Sequence, residues 1–329
     1  MPAAPLHASY DVAVLDLDGV VYIGDGAVPG AVGALVAAGR AGMHLAFVTN
    51  NAARPPAEVA AHLADLGLPA RAQDVVTSAQ AAARLLSAQV PPGAAVYVIG
   101  GEGLEEALAE RGLEPVTSPD AAPVAVAQGF GPEMPWRQVI DGAILVADGL
   151  PWVATNTDAT VPTPRGAGPG NGTLVELVGR FAGRTPVVAG KPQRPLFEET
   201  LARVGGSRPL VIGDRVDTDI DGAHAMGWDS LLVMTGVTRL GDLAGLAAPR
   251  RPTYLGADLS CLAEVPEQPA VADGVARLGG WTARVVDGAL AIDGAGTAHA
   301  WWRSAAAALW AHRDTTGQDA HPGDASPPR

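Results

Sequence analysis

A single cysteine in 329 residues, Cys261, leaves no partner for an intramolecular disulfide. No apolar run approaches the roughly eighteen residues needed to cross a bilayer, which excludes an integral membrane protein built on helical spans. The N-terminus has neither a basic region nor an apolar stretch long enough for export, so the cytoplasm is the default compartment. Runs of Lys or Arg are absent and the formal charge is −13, which disfavours nucleic acid and anionic membranes as partners and favours small substrates. No grouping of His with Cys suggests zinc. What is present is a chain 48% hydrophobic, with 41 Gly and 28 Pro distributed along it, the profile of a globular α/β protein. Its length exceeds what one core usually holds, so two domains and an appendage are expected.

The most informative segment is Val12-Ala-Val-Leu-Asp16-Leu-Asp18-Gly19, in which two carboxylates stand two positions apart at the end of a short apolar run. If Val12 to Leu15 is a buried strand, both can face the crevice beyond the carboxyl edge of a parallel sheet, where open α/β folds bind ligands. Alone, this pattern also serves in turns and calcium loops. Three further segments follow in order, each after a β-branched run: Phe47-Val-Thr49-Asn50-Asn51, Ala189-Gly-Lys191-Pro192, and Val211-Ile-Gly-Asp214-Arg-Val-Asp217-Thr-Asp219. Taken singly they read as a helix cap, a solvated turn and the start of a loop. Together they resemble the four motifs of the haloacid dehalogenase superfamily of phosphatases.

That resemblance implies a fold and a chemistry. The fold is a Rossmann-like, doubly wound parallel sheet. A phosphate monoester dianion repels a carboxylate nucleophile, so attack by Asp16 calls for Mg²⁺ and a second cation on the phosphoryl group. Mg²⁺ takes hard oxygen ligands and keeps several waters, so the carboxylates of Asp16 and Asp214 and the main-chain carbonyl of Asp18 would suffice. Lys191 suits the phosphate, and Thr49 can donate its hydroxyl to the phosphoryl oxygens, with help from Asn50. The resemblance makes Asp18 the acid that protonates the leaving group and the base that activates water. Asp219 would act from behind the metal or on Lys191, while Asp217 is expected to face solvent.

Strands are predicted near 12–15, 43–48, 74–77, 186–189, 209–213, 230–234 and 253–255, alternating with helices as in a doubly wound sheet. Tyr22 to Gly30 is rich in turn residues and looks like a small flap beside the nucleophile. About a hundred residues separate Thr49 from Lys191, too many for a βα connection, and they carry their own α/β pattern. Strands are expected at Val96 to Ile99, Val124 to Gln128 and Trp152 to Thr155, and helices at 103–111, 135–147 and 173–182. The domains are accordingly expected as a core at 1–82 and 186–262, an inserted α/β cap at 83–185, a small C-terminal extension at 263–312 and a disordered tail at 313–329.

A cap at that point resembles the subgroup containing p-nitrophenylphosphatase-like, NagD-like and pyridoxal-phosphate phosphatases. Val48-Thr-Asn-Asn-Ala-Ala-Arg54, Asp74-Val-Val-Thr-Ser-Ala-Gln80 and Pro169-Gly-Asn-Gly172 look most like a bacterial branch of glycerol-3-phosphate phosphatases. The implied substrate is a small phosphate ester, with pyridoxal, nucleotide or sugar phosphates as alternatives. Candidate substrate contacts are Asn51, Arg54, Asn156, Asp158, Arg165 and Asn171, each of which could equally cap a helix or shape a turn. Gly100-Gly-Glu-Gly103 lacks the third glycine of a dinucleotide fingerprint.

Beyond about residue 262 the likeness to the phosphatase core stops. A Pro-Glu linker, Val265 to Pro269, precedes a short strand pair around 281–292 and a helix from 297 to 312 carrying Trp301, Trp302 and Trp310. These aromatics read as packing on the core, or as a homodimer or partner surface. The segment resembles the remnant of an acetyltransferase-like extension found in that branch, and is too short to be an acetyltransferase. A non-catalytic phosphometabolite-binding protein is the competing functional class, and a mutase is a weaker one.

Overall fold

The computed structural model describes residues 4–163 and 165–328. Along the chain, α1 (Leu6–Ser9) and β1 (Val12–Leu15) lead to a hairpin of β2 (Tyr22–Ile23) and β3 (Gly26–Ala27) at the expected flap. Then come α2 (Ala31–Arg40), β4 (His44–Thr49), α3 (Pro56–Asp65), β5 (Val75–Thr77) and α4 (Ser78–Ser87). The central part contains β6 (Ala95–Ile99), α5 (Glu102–Glu110), β7 (Glu114–Val116), β8 (Ala125–Gln128), α6 (Trp136–Ala147) and β9 (Trp152–Ala154). A hairpin of β10 (Thr160–Thr163) and β11 (Gly166–Pro169) follows, then α7 (Asn171–Ala182), β12 (Val187–Val188) and α8 (Arg194–Val204). The chain continues through β13 (Pro209–Gly213), α9 (Asp221–Met226), β14 (Asp229–Val233), α10 (Leu240–Ala244) and β15 (Tyr254–Gly256). It ends in β16 (Ala270–Ala272), β17 (Val275–Leu278), β18 (Trp281–Val286), β19 (Ala289–Gly294) and α11 (Ala298–Thr316).

The strands form a six-stranded sheet, ordered β15-β14-β13-β1-β4-β5, and a five-stranded one, ordered β12-β9-β8-β6-β7. The chain divides into two compact units, residues 1–45 with 206–329, and residues 46–205. In the first unit, β1 pairs in parallel with β13, β13 with β14 and β14 with β15. All four residues of β1 are buried, as a strand covered on both faces requires. The π-helical turn Val216–Ile220 follows β13 and carries the fourth motif's second half, a local irregularity often seen at functional sites.

The C-terminal segment belongs to the first unit. Its four strands form an antiparallel sheet, β16-β17-β18-β19, larger than the predicted pair. Helix α11 starts at Thr297, whose hydroxyl caps Ala300 N–H at 3.2 Å. Trp301, Ala305 and Leu309 are buried with Leu240, Leu243 and Leu255, so the packing reading of the extension holds. Trp310 donates its indole N–H to Leu243 O at 2.8 Å. The tail differs from the disordered segment expected: α11 runs on to Thr316, Ala320 is buried, and Leu290 N–H reaches His321 O at 2.8 Å. Main-chain pairing with β19 supplies the order that its polar composition conceals. Arg329 lies outside the described residues.

In the second unit β4 and β5 pair in parallel. Thr77 and Gln80 form a reciprocal capping box that opens α4. The five-stranded sheet is parallel throughout its registered pairs. One prediction is corrected here: β12, expected in the same sheet as β1, pairs instead with β9 as an edge of the five-stranded sheet. Only Val187 and Val188 are extended before Gly190, too short a run to declare its partner.

Candidate active site

In the first unit, Asp16 leaves β1 with its N–H on Ile212 O at 2.8 Å, prolonging the β1–β13 ladder by one residue. Leu17 points into the core, so Asp16 is half-buried and Asp18 exposed on either side of it. Asp214, at the end of β13, is wholly buried. One of its carboxylate oxygens accepts from Val237 N–H, and its carbonyl accepts Thr238 N–H at 3.1 Å and Thr238 Oγ at 2.6 Å. Carboxylate oxygens of Asp16, Asp214 and Asp219 lie within 4.8 Å of one another.

The packing around these acids is so close that side chains are excluded. A Cβ at Gly236 would sit 1.9 Å from Asp214 Oδ2, and one at Gly213 would sit 2.2 Å from Asp219 Cγ. Gly19 meets Asp214 in the same way, at 2.6 Å, and its φ of +84° is the left-handed region that glycine adopts freely. Three carboxylates confined like this repel one another unless a cation lies among them. Hard oxygens at such spacing suit an octahedral divalent ion, whose ligands at about 2.1 Å lie roughly 3 to 4 Å apart. Asp219, expected behind the metal, is within the same span as the other two and also accepts Arg215 N–H at 3.2 Å. Asp217 is exposed as expected, and hydrogen bonding from the Arg215 guanidinium holds its carboxyl below the usual carboxylate range.

The second unit holds the remaining motif residues. Thr49, buried at the end of β4, accepts Asn51 N–H on its hydroxyl oxygen at 3.0 Å, which leaves the hydroxyl proton to donate. Asn50 Oδ1 accepts Lys191 N–H at 2.7 Å, while its Nδ2 donates to Lys191 O and Asp158 Oδ2, both at 3.1 Å. The Asn50 amide thus holds the main chain of Lys191 and the Asp158 carboxylate. Gly190 is confined by the same contact, since a Cβ there would lie 2.5 Å from Asn50 Oδ1 and from Thr155 O. Lys191 is buried and is the only lysine in the sequence.

The substrate candidates divide. Asn156 is buried and donates to Asn50 O at 2.7 Å; Asn171 is buried and donates to Asn156 O at 2.7 Å. Both amides hold the main chain. Asn51 shapes a turn by accepting Ala53 N–H at 2.9 Å. Arg54 is exposed, as is Arg165 in the β10–β11 turn. Sequence reading missed Ser78, whose buried hydroxyl donates to Asn50 O at 2.6 Å, and the 235–238 loop over Asp214. The Thr-Gly-Val-Thr run after β14 is the signal that could have found the latter.

Comparison with known proteins gives the same picture. The sequence model of haloacid dehalogenase-like hydrolases matches residues 13–114, and a second, HAD-hydrolase-like, model matches residues 188–262. A D-glycerol 3-phosphate phosphatase of Mycobacterium tuberculosis is 43% identical over 283 residues, covering 86% of this chain and 78% of that one. An acid sugar phosphatase of Staphylococcus aureus is 34% identical over 76% of this chain and 96% of its own. A crystal structure of a glycerol phosphate phosphatase from M. tuberculosis in complex with magnesium aligns with a TM-score of 0.84 at 41% identity, covering 93% of this chain and 92% of that one. Coverage that high carries the likeness beyond the phosphatase core into the C-terminal extension.

Proposed function

Since this chain belongs to the haloacid dehalogenase-like hydrolase family and is a phosphatase, we propose that it hydrolyses glycerol 3-phosphate, with Mg²⁺, by way of a phosphoryl group carried on Asp16. The observation that carries this reading is the gathering of Asp16, Asp214 and Asp219 within 4.8 Å at the mouth of a parallel sheet. The 43% identity to a D-glycerol 3-phosphate phosphatase supports the choice of substrate.

In the first half-reaction an Asp16 carboxylate oxygen bonds to phosphorus as the ester P–O bond breaks, and the departing alkoxide takes a proton from Asp18. In the second, Asp18 removes a proton from water, the hydroxide attacks the same phosphorus, and inorganic phosphate leaves with Asp16 restored. Asp16, Asp214 and the carbonyl of Asp18, with Asp219 alongside, would hold Mg²⁺, which would supply the positive charge that lets a carboxylate approach a phosphate dianion. Lys191 and the Thr49 hydroxyl neutralise and orient the phosphoryl oxygens. Asn50 fixes Lys191, and Asn156 fixes Asn50. Arg54, Arg165 and Asp158 are the polar groups offered to the alcohol part of the substrate.

Phosphate release with Mg²⁺ should be measured across glycerol 3-phosphate, glycerol 2-phosphate, pyridoxal phosphate, nucleoside monophosphates and sugar phosphates. The highest kcat/KM is expected for glycerol 3-phosphate. A higher value for a sugar phosphate would transfer the substrate reading to that of the S. aureus relative and leave the chemistry intact.

A further inference from the structure

Within the second unit, α4 packs against both α5 and α8. Where they meet, a cleft of about 600 Å³ opens to solvent, lined by Arg84, Glu110, Arg111, Glu199, Ala202 and Arg203. The motif residues lie outside its lining, and Glu199 lies more than a turn into α8, roughly 8 Å along it from Arg194. The Glu199 carboxylate forms the wholly buried floor. Its Oε1 accepts from Arg111 Nη2 and Arg203 Nε together. Its Oε2 is shut off from solvent without a hydrogen bond, and Arg84 Nε stands 3.8 Å from it.

The charges in the cleft do not balance. Three guanidiniums face two carboxylates, and the second of these, Glu110, is at the rim, half exposed and 3.8 Å from Arg203 Nη2. A surplus of positive charge is thus gathered on one cleft of a chain whose formal charge is −13. Arg84, Arg111 and Arg203 keep 40%, 33% and 26% of their side chains exposed. Each guanidinium offers five N–H donors in a fixed fork. Arg111 and Arg203 each spend one on Glu199, and the Arg84 side chain makes no hydrogen bond among the described residues, with Nη1 buried and unpartnered. Two forks already neutralise the floor carboxylate, so the third, left unbonded in the wall of an open cleft, suits a further anion with several oxygens.

We propose that this cleft binds a phosphate dianion, separately from the catalytic site. Doubly charged and surrounded by acceptor oxygens, phosphate matches guanidinium forks that converge from different helices. Its source is either free inorganic phosphate, which a phosphatase itself releases, or a phosphate ester whose alcohol part occupies the rest of the cleft. Bound there, it bridges α4 to α8 and to the end of α5, adding to the tie that Glu199 makes.

Binding should be measured on the full chain in EDTA, since without a divalent ion Asp16, Asp214 and Asp219 repel a dianion from the catalytic site. Equilibrium dialysis with radiolabelled inorganic phosphate should show saturable binding, and phosphate should raise Tm. Arg84→Gln leaves Arg111 and Arg203 on Glu199, so the fold is retained while binding weakens by at least about tenfold. Glu110→Gln removes the rim carboxylate and should tighten binding by about threefold. A purely structural ion-pair network would show neither change. Glycerol 3-phosphate as competitor separates the sources: displacement at lower concentration than unlabelled phosphate assigns the cleft to an ester, and weaker displacement assigns it to the free ion. Absence of saturable binding in EDTA, or binding that Arg84→Gln leaves unchanged, would overturn the proposal.

Discussion

The two sets of motif residues are built on opposite principles. Around Asp16, Asp214 and Asp219, the fixing contacts are main-chain N–H groups and glycines pressed against carboxylates. Around Lys191, they are side chains from distant parts of the chain: the amides of Asn50 and Asn156 and the carboxylate of Asp158. The first arrangement holds the acids close together through main-chain contacts, as a cation site requires. The second spends its polar groups on one another, so that the main chain of one buried lysine is held firmly.

The sharpest contrast comes from removing charge in each set. Asp16→Asn should lower kcat by at least about 10⁴-fold with an unchanged circular dichroism melt, because it removes the nucleophile itself. Gly236→Ala tests confinement: its methyl would displace the Asp214 carboxylate, and the Mg²⁺ concentration for half-maximal activity should rise by about tenfold or more. Asn156→Ala should leave metal dependence untouched and lower kcat by roughly tenfold, since the loss of one buried hydrogen bond loosens Asn50 and, through it, Lys191.

Glu199 tests stability apart from catalysis. Its wholly buried carboxylate accepts from Arg111 and Arg203 and lies 3.8 Å from Arg84, which ties α8 to α4 and to the end of α5. Glu199→Ala should cost about 2 kcal/mol, less than a fully buried pair because the arginines can rehydrate, and lower Tm by several degrees with kcat retained. The smallest effect concerns Asp217. Because Arg215 depresses its folded-state titration, the stability it adds is present above the ordinary carboxylate value near 4 and is lost as pH falls through the lower folded one. Asp217→Asn should therefore lower stability slightly at pH 7, the pair being exposed, and change nothing well below about pH 4, where both states are protonated, as unfolding curves at the two pH values would record.

Much of this was legible because the motif residues sit at strand ends, where a local apolar run announces both the strand and the direction of its last carboxylate. Asp16 and Asp214 are of that kind. The setting of Lys191 was not legible as such, because Asn50 joins it across 141 positions and Asn156 joins Asn50 across 106, and an asparagine offers the same amide to a substrate or to a carbonyl. Val187–Val188 was placed in the wrong sheet since two valines carry no information about register. The ordered tail was hidden because its bonds are main-chain ones, to which composition is blind.

In the mechanism proposed above, the phosphoryl group is carried covalently on Asp16 before it reaches water. With Asp18→Asn, p-nitrophenyl phosphate still offers a good leaving group while water is no longer activated, so the phosphoryl form should accumulate. Acid-quenched intact mass should then show a gain of about 80 Da, absent in the Asp16→Asn, Asp18→Asn double variant. A normal mass throughout turnover, or an adduct that survives loss of Asp16, would contradict it.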